Sequence, residues 1–598
     1  MKYGFCNARW TKFGVALLAV FASLSALSYA FPSSTPTENA PLLAVTFKPS
    51  APDGKGNVDY IDVTVTTDAM KVPAGASLLS LSTVSSNVQT IASDVKDLTV
   101  SDSKGAIPLE IRDDPETSRP PYRRWIAERP VEGKIIVRYR APINNMPNPR
   151  GAAPPLELRT EDGAFSGAAS TFLILPQTKT AYQIEIHWDL SNMPTGAVGM
   201  STFGVGDVHL DSPVLIDRLE QAYFFGGTIH RYPNRPAASG FFSAWQGSPP
   251  FDANALMHWT ERLYGFYFDF FNPGKVRPYA VLLRRNLINP GGGVSVAGSF
   301  IGTFGPDTKV DPLKITLAHE MVHTFVGELD GPGALSGSWF SEGTAVYYER
   351  LLPLRAGQIT PTDFLQDLNS TAGRYYTNAL INTLNSEIPK KFWADTRIRV
   401  LPYDRGSMYF AIVDSRVRKA SGGKRSLDDL ILAMLDRRRR GLPMDEAAWI
   451  QLLTQELGPS GPAELQAMLN GEIMVPDSDA FGPCFACTTK PLRRYELGFD
   501  SKVLMEPSRI VRGLVPGSAA ERAGLRNGDE ILKPVPQDSI QADQTAILHL
   551  EIRRDGQVFP LSYLPRGETV QAYQWERVAG VPDTACVLPY RNAATLGN

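Results

Sequence analysis

The sequence is poor in two residue types that often carry protein chemistry. Its 598 residues include seven histidines and four cysteines. It also lacks an excess of charge of either sign, with 60 basic and 62 acidic residues and a formal net charge of -2. Without a basic excess to hold phosphates, we expect no nucleic-acid partner. The length exceeds what one hydrophobic core supports and predicts a multidomain chain.

Long apolar runs are equally scarce, and the one candidate lies at the N-terminus. Positive residues precede the apolar stretch FGVALLAVFASLSALSYA, and Ser28 and Ala30 fit the small positions before a cleavage site. We therefore predict a signal peptide over residues 1–30. An uncleaved anchor is the alternative, because the apolar stretch is of borderline spanning length. The mature protein is expected to be exported, periplasmic or secreted, without a stable membrane span.

Export would place the remaining cysteines in an oxidising compartment. Cys6 leaves with the signal peptide, while Cys484, Cys487 and Cys586 stay. Cys586 can form a disulfide with either member of the CFAC segment, which leaves one thiol over. A redox CxxC is disfavoured because no thioredoxin-like pattern surrounds it, and a zinc ribbon would need a second cysteine pair.

The pattern of the mature chain changes several times. YIDVTVTT, STFLILP and YQIEIHWDL predict strands of an all-β sandwich. SPVLIDRLEQAYFFGG and later stretches favour helices in an α+β region, and QVFPLSYL belongs to a β-rich end. The predicted divisions are a leader (31–41), a β-sandwich (42–207), an α+β domain (208–475), a linker (476–494), a β-rich domain (495–575) and a tail (576–598).

Two of the few histidines lie in LAHEMVHTFV, which has helical periodicity. Residues i and i+4 share one face of a helix, so His319 and His323 can bind one cation. Glu320 lies beside that face, where it can take a proton from water. The alternative is a coincidence of spacing on a buried helix.

A catalytic zinc ion needs a third protein ligand and an open position for water. Glu342 follows His323 with eighteen residues between them, in a predicted second helix that starts at Ser341. The intervening loop has enough Gly and Pro to turn the chain back. We therefore predict one Zn²⁺ held by His319, His323 and Glu342. For Glu342 alone, a carboxylate that favours the helix N-terminus is the alternative.

This pattern resembles the gluzincin metallopeptidases, whose catalytic domain is thermolysin-like. WFSEGTAVYYE is similar to their third-ligand helix in the aminopeptidase N branch. The chain as a whole resembles the glycyl aminopeptidase family of exported bacterial peptidases with a C-terminal PDZ-like domain. The resemblance is most specific from Gly291 to Gly406.

The resemblance implies further roles. Glu320 would act as general base and then as general acid. Tyr403, in LPYDRGSMYF, would donate to the oxyanion of the reaction, and Arg405 of the same segment would contact substrate. Glu349 would hold a zinc histidine through its free ring nitrogen. A structural tyrosine and a surface carboxylate are the respective alternatives.

One segment departs from the family pattern. The resembled peptidases carry, on a Gly-rich edge strand, a glutamate that binds the free amine of the substrate. Aligned on Gly291, Gly292 and Gly293, this chain has Ser295 at that position. The glycines suit a strand beside a peptide substrate. Because neutral Ser295 cannot pair with an ammonium group, dependence on a free N-terminus is in doubt.

The C-terminal segment VRGLVPGSAAERAGLRNGDEIL is similar to bacterial PDZ domains. Such domains bind the C-terminus of a peptide by strand addition beside a helix. Little sequence is left for that helix, so a packed accessory domain is the alternative. We therefore expect a zinc peptidase acting on peptides or proteins; a catalytically reduced gluzincin that binds or scaffolds peptides is the second reading.

Overall fold

The structure is a computed structural model. It describes residues 40–591 except 87, 116–117, 119, 146–153, 238, 272–273, 287–289, 297, 332, 334, 507, 534 and 536. The predicted signal peptide and most of the leader lie outside the described residues. Among the helices that are described, none combines the length and apolar content needed to cross a bilayer.

The N-terminal region is β-rich. Alternating residues along its long strands are buried, so each strand turns one face toward a core. Its elements are β1 (Leu42–Pro49), β2 (Tyr60–Val72), β3 (Ser77–Ser82), β4 (Val84–Ser85), β5 (Val88–Gln89), β6 (Lys96–Asp102), β7 (Gly105–Ala106), β8 (Leu109–Asp113), β9 (Tyr122–Ala127), β10 (Val131–Pro142), β11 (Arg159–Glu161), β12 (Ala164–Ala168), α1 (Ala169–Phe172), β13 (Leu175–Pro176), β14 (Gln183–Trp188), β15 (Val198–Ser201), β16 (Gly204–Val205) and β17 (Val208–His209).

Two sheets of this region share one apolar core. The larger has the order β17-β14-β1-β2-β10-β6-β7, and the smaller has the order β13-β3-β9-β8. STFLILP, predicted as a strand, instead begins in the helical turn α1 and reaches a strand only at its end, in β13. In α1, Thr171 Oγ1 donates to the carbonyls of Ala168 and Leu156, which closes the turn.

A third sheet extends the β-rich region beyond its predicted end at residue 207. The stretch predicted as helical has one helical turn, α2 (Asp217–Glu220), followed by β18 (Tyr223–Gly227). All five residues of β18 are buried, between β12 and β15 in the order β11-β12-β18-β15-β16. Burial on both faces explains why an unbroken aromatic run forms a strand here.

The catalytic region begins with a five-stranded sheet. Its elements are β19 (His230–Tyr232), β20 (Phe241–Trp245), α3 (Ala253–Phe271), β21 (Tyr279–Arg285), β22 (Gly293–Val296) and β23 (Ser299–Phe304). The order is β19-β20-β21-β23-β22, which leaves β22 as an antiparallel edge strand. One face of the sheet packs against the N-terminal β region, and the other packs against helices.

Helices make up the rest of this region. They are α4 (Val310–Phe325), α5 (Ser338–Arg355), α6 (Pro361–Tyr376), α7 (Ile388–Lys391), α8 (Thr396–Arg399), α9 (Leu401–Ala420), α10 (Leu427–Arg439), α11 (Glu446–Leu457) and α12 (Ser460–Leu469). A β-rich N-terminal region followed by a helical catalytic region agrees with the predicted multidomain class.

The C-terminal region has a small core of its own. Its elements are β24 (Phe485–Tyr495), α13 (Ala519–Arg522), β25 (Glu530–Ile531), α14 (Gln537–Ala542), β26 (Leu548–Arg554), β27 (Gln557–Tyr563) and β28 (Arg566–Arg577). The helix α14 lies in the short interval where little sequence was left for a helix. The PDZ-like identity of this region stays a prediction.

The predicted linker over residues 476–494 is wrong for most of its length. It contains nearly all of β24, which pairs along its length with β28. This two-stranded ribbon packs on α6, where the Asn369 side chain bonds to both the amide and the carbonyl of Trp575. Long-range pairing therefore orders a segment whose polar, Pro-containing sequence favours a linker.

Candidate metal centre

The two histidines lie one turn apart on α4, as their spacing requires. Their Nε2 atoms are 3.1 Å apart. The helix begins at Val310, and Asp311 lies in its first turn rather than capping it. His319 is 6% exposed, and His323 is more exposed than His319. One face of α4 thus presents two imidazole nitrogens to a single point.

The third predicted ligand comes from α5, which starts three residues before the predicted Ser341, at Ser338. Glu342 Oε2 lies 3.4 Å from His319 Nε2 and 3.2 Å from His323 Nε2. One ligand atom from each of the three residues lies within 4.8 Å of the others. The structure therefore brings these residues together as a group that could hold a metal ion.

The chemistry of this group fits a zinc ion. Two imidazole nitrogens and one carboxylate oxygen form the three-ligand set of many catalytic zinc sites. The tautomer of His319 also fits, because its Nδ1 lies 2.6 Å from Glu349 Oε2 and leaves Nε2 to face the group. Glu349 thus occupies the place that the resemblance implies.

A buried network extends from Glu349 away from the metal group. Arg350 Nη2 lies 3.3 Å from Glu349 Oε1, and Arg350 also donates to Asp367 and Thr371. Sequence reasoning missed Arg350 and Asp367. The YYER segment places Arg350 next to Glu349 along the chain, but only the packing of α5 on α6 shows that Asp367 meets it.

In the metal group, neighbouring charges favour the ionised form of Glu342 and the protonated form of His319 although both side chains are buried. Burial opposes ionisation of Glu342, but the imidazoles of His323 and His319 lower its pKa to about 2. Burial likewise opposes protonation of His319, but Glu342 and Glu349 raise its pKa to about 10. A metal ion entering the group at neutral pH would therefore compete with a proton.

The carboxylate of Glu320 is fully buried beside this group. Burial raises its pKa above the usual range, while the two neighbouring imidazoles and the Ser295 hydroxyl favour its ionised form. Ser295 Oγ donates to Glu320 Oε2 at 2.6 Å, and Oε1 is buried with no hydrogen-bond partner. One oxygen of this carboxylate is therefore held, and the other remains available.

The three glycines before Ser295 are engaged by the protein itself. Gly291 donates to the carbonyl of Thr303, and the Gly292 carbonyl accepts from the amide and hydroxyl of Thr303. A Cβ on Gly293 would lie 2.1 Å from the Phe300 ring. Packing against β23 explains these glycines, and their predicted contact with substrate stays a prediction.

Tyr403 lies against the metal group from α9. Its ring stacks on that of His319, with centroids 6.0 Å apart, and the residue is 1% exposed. A close crossing of α9 and α5 sets this position. A Cβ on Gly343 would lie 2.7 Å from Gly406 Cα, so the two helices meet where both residues lack a side chain.

Arg405, predicted as a substrate contact, is bonded to the protein in this structure. It is 1% exposed, and its Nη1 donates to the backbone carbonyl of Thr383 at 2.7 Å. Burial lowers the pKa of its guanidinium. Its Nε and Nη2 are buried with no hydrogen-bond partner. The predicted contact of Arg405 with substrate stays a prediction.

Glu328 is a further acidic residue near the metal group that sequence reasoning missed. It is half-buried just beyond the end of α4, and Arg438 holds its backbone carbonyl. Burial raises the pKa of its carboxyl, and the nearby charges of His323 and Glu342 act on it in opposite senses. No pattern in the sequence distinguishes it from an ordinary loop carboxylate.

The segment 314–386, which carries all three candidate ligands, matches the profile of the M61 glycyl aminopeptidase family. No match was found among curated proteins. The match confirms, for this segment, the resemblance and the enzyme class expected from the sequence, an aminopeptidase-like metallopeptidase.

Solved structures support the fold. An aminopeptidase N family protein from Idiomarina loihiensis is similar, with a TM-score of 0.63 and 14% identity, over 92% of this chain and 100% of that one. An M1 zinc metallopeptidase from Deinococcus radiodurans has a TM-score of 0.44 and 14% identity, over 75% of this chain and 99% of that one. At such low identity, the similarity to the Idiomarina loihiensis protein shows a shared fold only. The similarity to the Deinococcus radiodurans enzyme adds nothing to this conclusion.

Proposed function

We propose that this aminopeptidase-like metallopeptidase hydrolyses peptide bonds with one zinc ion held by His319, His323 and Glu342. The observation that carries the proposal is the convergence of these three side chains beside the buried carboxylate of Glu320. Zinc bound there would supply Lewis acidity toward the scissile carbonyl and toward a water molecule.

The surrounding residues have separate tasks in this proposal. Glu320 takes a proton from the attacking water and returns it to the leaving amine. Its unpartnered Oε1 is the oxygen available for that transfer. The Tyr403 hydroxyl donates to the oxyanion that develops on the scissile carbonyl. Glu349 holds the ring of His319 so that Nε2 faces the metal group.

Metal analysis and peptide digestion test the proposal together. The purified mature protein should contain zinc, and the His323→Ala variant should lose it. His258 is an exposed histidine on α3, so the His258→Ala control should keep its zinc. Glu320→Gln should keep zinc and lose activity on a peptide library by about two to four orders of magnitude. Zinc binding without any cleavage by the wild type would instead support the peptide-binding alternative.

A relaxed requirement for a free N-terminus is part of the proposal. Ser295, which stands where an amine-binding glutamate is expected, is neutral, and its hydroxyl is already bonded to Glu320. A lost charge-assisted hydrogen bond corresponds to about ten- to a hundredfold in preference. We therefore expect N-acetylated peptides to be cleaved about as well as free ones, with internal cleavage products visible by mass spectrometry.

The matched experiment uses two peptides that differ only in N-acetylation. A preference for the free amine above about a hundredfold in kcat/KM would show that another acidic group binds it. Glu328 would be the first candidate, and Glu328→Gln would then abolish the preference.

Two further features complete the proposal. A disulfide between Cys484 and Cys586 is consistent with an exported, periplasmic or secreted protein. The β-rich C-terminal region, with α14 beside its strands, would bind peptide C-termini in the manner of a PDZ domain. Peptides and proteins are accordingly the proposed substrates and partners.

A further inference from the structure

We propose that Ser295 is a positioning residue that orients the general base Glu320. In related peptidases the corresponding position binds the substrate amine. The inference rests on the proposed function of Glu320 as the base. The observation that carries it is the 2.6 Å hydrogen bond from Ser295 Oγ to Glu320 Oε2.

The direction of the Ser295 side chain is fixed by its strand. Side chains alternate across β22, and Val294 and Val296 pack into the apolar core toward the N-terminal β region. Ser295 therefore projects from the opposite face. Its position along the strand is set by pairing with Phe300 on β23.

The glycines before Ser295 hold the strand close to its neighbour. A Cβ on Gly293 would lie 2.1 Å from the Phe300 ring and 2.5 Å from the Ile301 carbonyl oxygen. Gly291 and Gly292 add backbone hydrogen bonds to Thr303. The hydroxyl of Ser295 is thus mounted on a rigid sheet edge rather than on a loop.

A carboxylate needs such a support because its terminal torsion is soft and roughly two-fold. The helix backbone places Glu320, but it does not decide which carboxylate oxygen faces which neighbour. A hydroxyl that donates to Oε2 selects one orientation, and Oε1 is then left without a partner. Bonds of this length between a hydroxyl and a carboxylate are among the stronger hydrogen bonds in proteins.

The same contact predicts the effect of a glutamate at position 295 in this chain. It would set a second carboxylate against the buried carboxylate of Glu320, and like charges at that range disfavour ionisation of both. Ser295→Glu therefore would not simply restore an amine-binding site. It would remove the hydrogen bond that holds the base.

The test compares Ser295→Ala, which removes the hydroxyl, with Ser295→Thr, which keeps it on a side chain suited to a strand. Ser243→Ala is the matched control. Its hydroxyl donates at 2.5 Å to the Tyr232 carbonyl in the same sheet, away from Glu320. Zinc content and melting temperature are measured for each variant, so that a folding defect is recognised.

For Ser295→Ala we expect kcat to fall by about ten- to a hundredfold with little change in KM, because the base is misoriented while binding is kept. Ser295→Thr should recover most of kcat, and Ser243→Ala should match the wild type. In a crystal structure of the metal-free Ser295→Ala protein, the Glu320 carboxylate should leave its wild-type orientation.

Wild-type kcat in a zinc-loaded Ser295→Ala protein would overturn the inference. An unchanged Glu320 orientation in its metal-free crystal structure would also overturn it. If Ser295→Thr does not fold, Ser295→Cys, a near-isosteric weak donor, takes its place and should give an intermediate kcat. A wild-type protein without peptidase activity would refute the proposed function, while the orientation of Glu320 would still decide the role of Ser295.

Discussion

At the scale of single residues, two glutamates beside the metal group differ in their hydrogen-bond partners. Glu349 and Glu320 are both fully buried glutamates, yet their partners differ. Glu349 is bonded to a histidine ring and an arginine, whereas Glu320 has one oxygen held and one free. These partners explain why one glutamate suits a supporting role and the other suits proton transfer.

Tyr403→Phe tests the proposed oxyanion donor at this scale. Removal of one such donor commonly costs about a hundredfold or more in kcat, and KM should change little because the contact acts mainly in the transition state. Steady-state kinetics on a single peptide measure the effect. Tyr409→Phe is the control, since that tyrosine lies on the same helix and its hydroxyl accepts from Trp449. Equal kcat in both variants would remove Tyr403 from the mechanism.

At the scale of elements, three helices build the metal group. The histidines of α4 require only helical periodicity, but Glu342 and Tyr403 arrive by the packing of α5 and α9. That packing depends on Gly343 and Gly406, where the helix backbones are in contact. The glycine in the LPYDRG segment is thus explained by helix contact as well as by family resemblance.

Gly406→Ala is expected to separate α9 from α5. The added Cβ would lie 2.6 Å from the Trp339 carbonyl oxygen and 2.8 Å from Gly343 Cα. Overpacking of this kind typically costs about 1–3 kcal/mol of stability. Gly265→Ala is the control, because that site on α3 has open space and alanine favours a helix. Chemical denaturation of both variants gives the comparison; equal loss, or no loss for Gly406→Ala, would contradict the packing argument.

At the scale of the whole molecule, the C-terminal region is tied to the helical region. The β24–β28 ribbon packs on α6, and the Cys484–Cys586 disulfide closes a loop with a sequence separation of 102. Cys487 remains as a free thiol. Strand pairing and the disulfide therefore close the base of the β-rich end, and packing on α6 connects it to the helical region.

The disulfide gives a prediction at this scale. Cys586→Ser should lower the stability of the C-terminal region by about 2–4 kcal/mol, because a long loop regains its freedom in the unfolded chain. Cys487→Ser should have little effect, since it breaks no disulfide. Thermal unfolding without reductant compares the two, and equal melting temperatures would mean that the disulfide does not contribute.

The sequence alone determined the features that depend on short-range geometry. Spacing along a helix identified His319 and His323, the need for a third ligand on a second helix identified Glu342, and the family pattern identified Tyr403 and Glu349. The strand patterns of YIDVTVTT, YQIEIHWDL and QVFPLSYL predicted β2, β14 and β27. The inferences for the histidine pair and for the strands need only the repeat of a helix or a strand, which neighbouring residues encode.

The tertiary structure decided which distant groups meet. It placed the Ser295 hydroxyl on Glu320, enclosed Arg405 behind Thr383, and selected Cys484 as the partner of Cys586. It also showed that two segments are strands: the aromatic stretch predicted as helical forms β18, and most of β24 lies in the predicted linker. In each case the deciding contact joins residues far apart in sequence, and its strength depends on burial and packing that no local pattern carries.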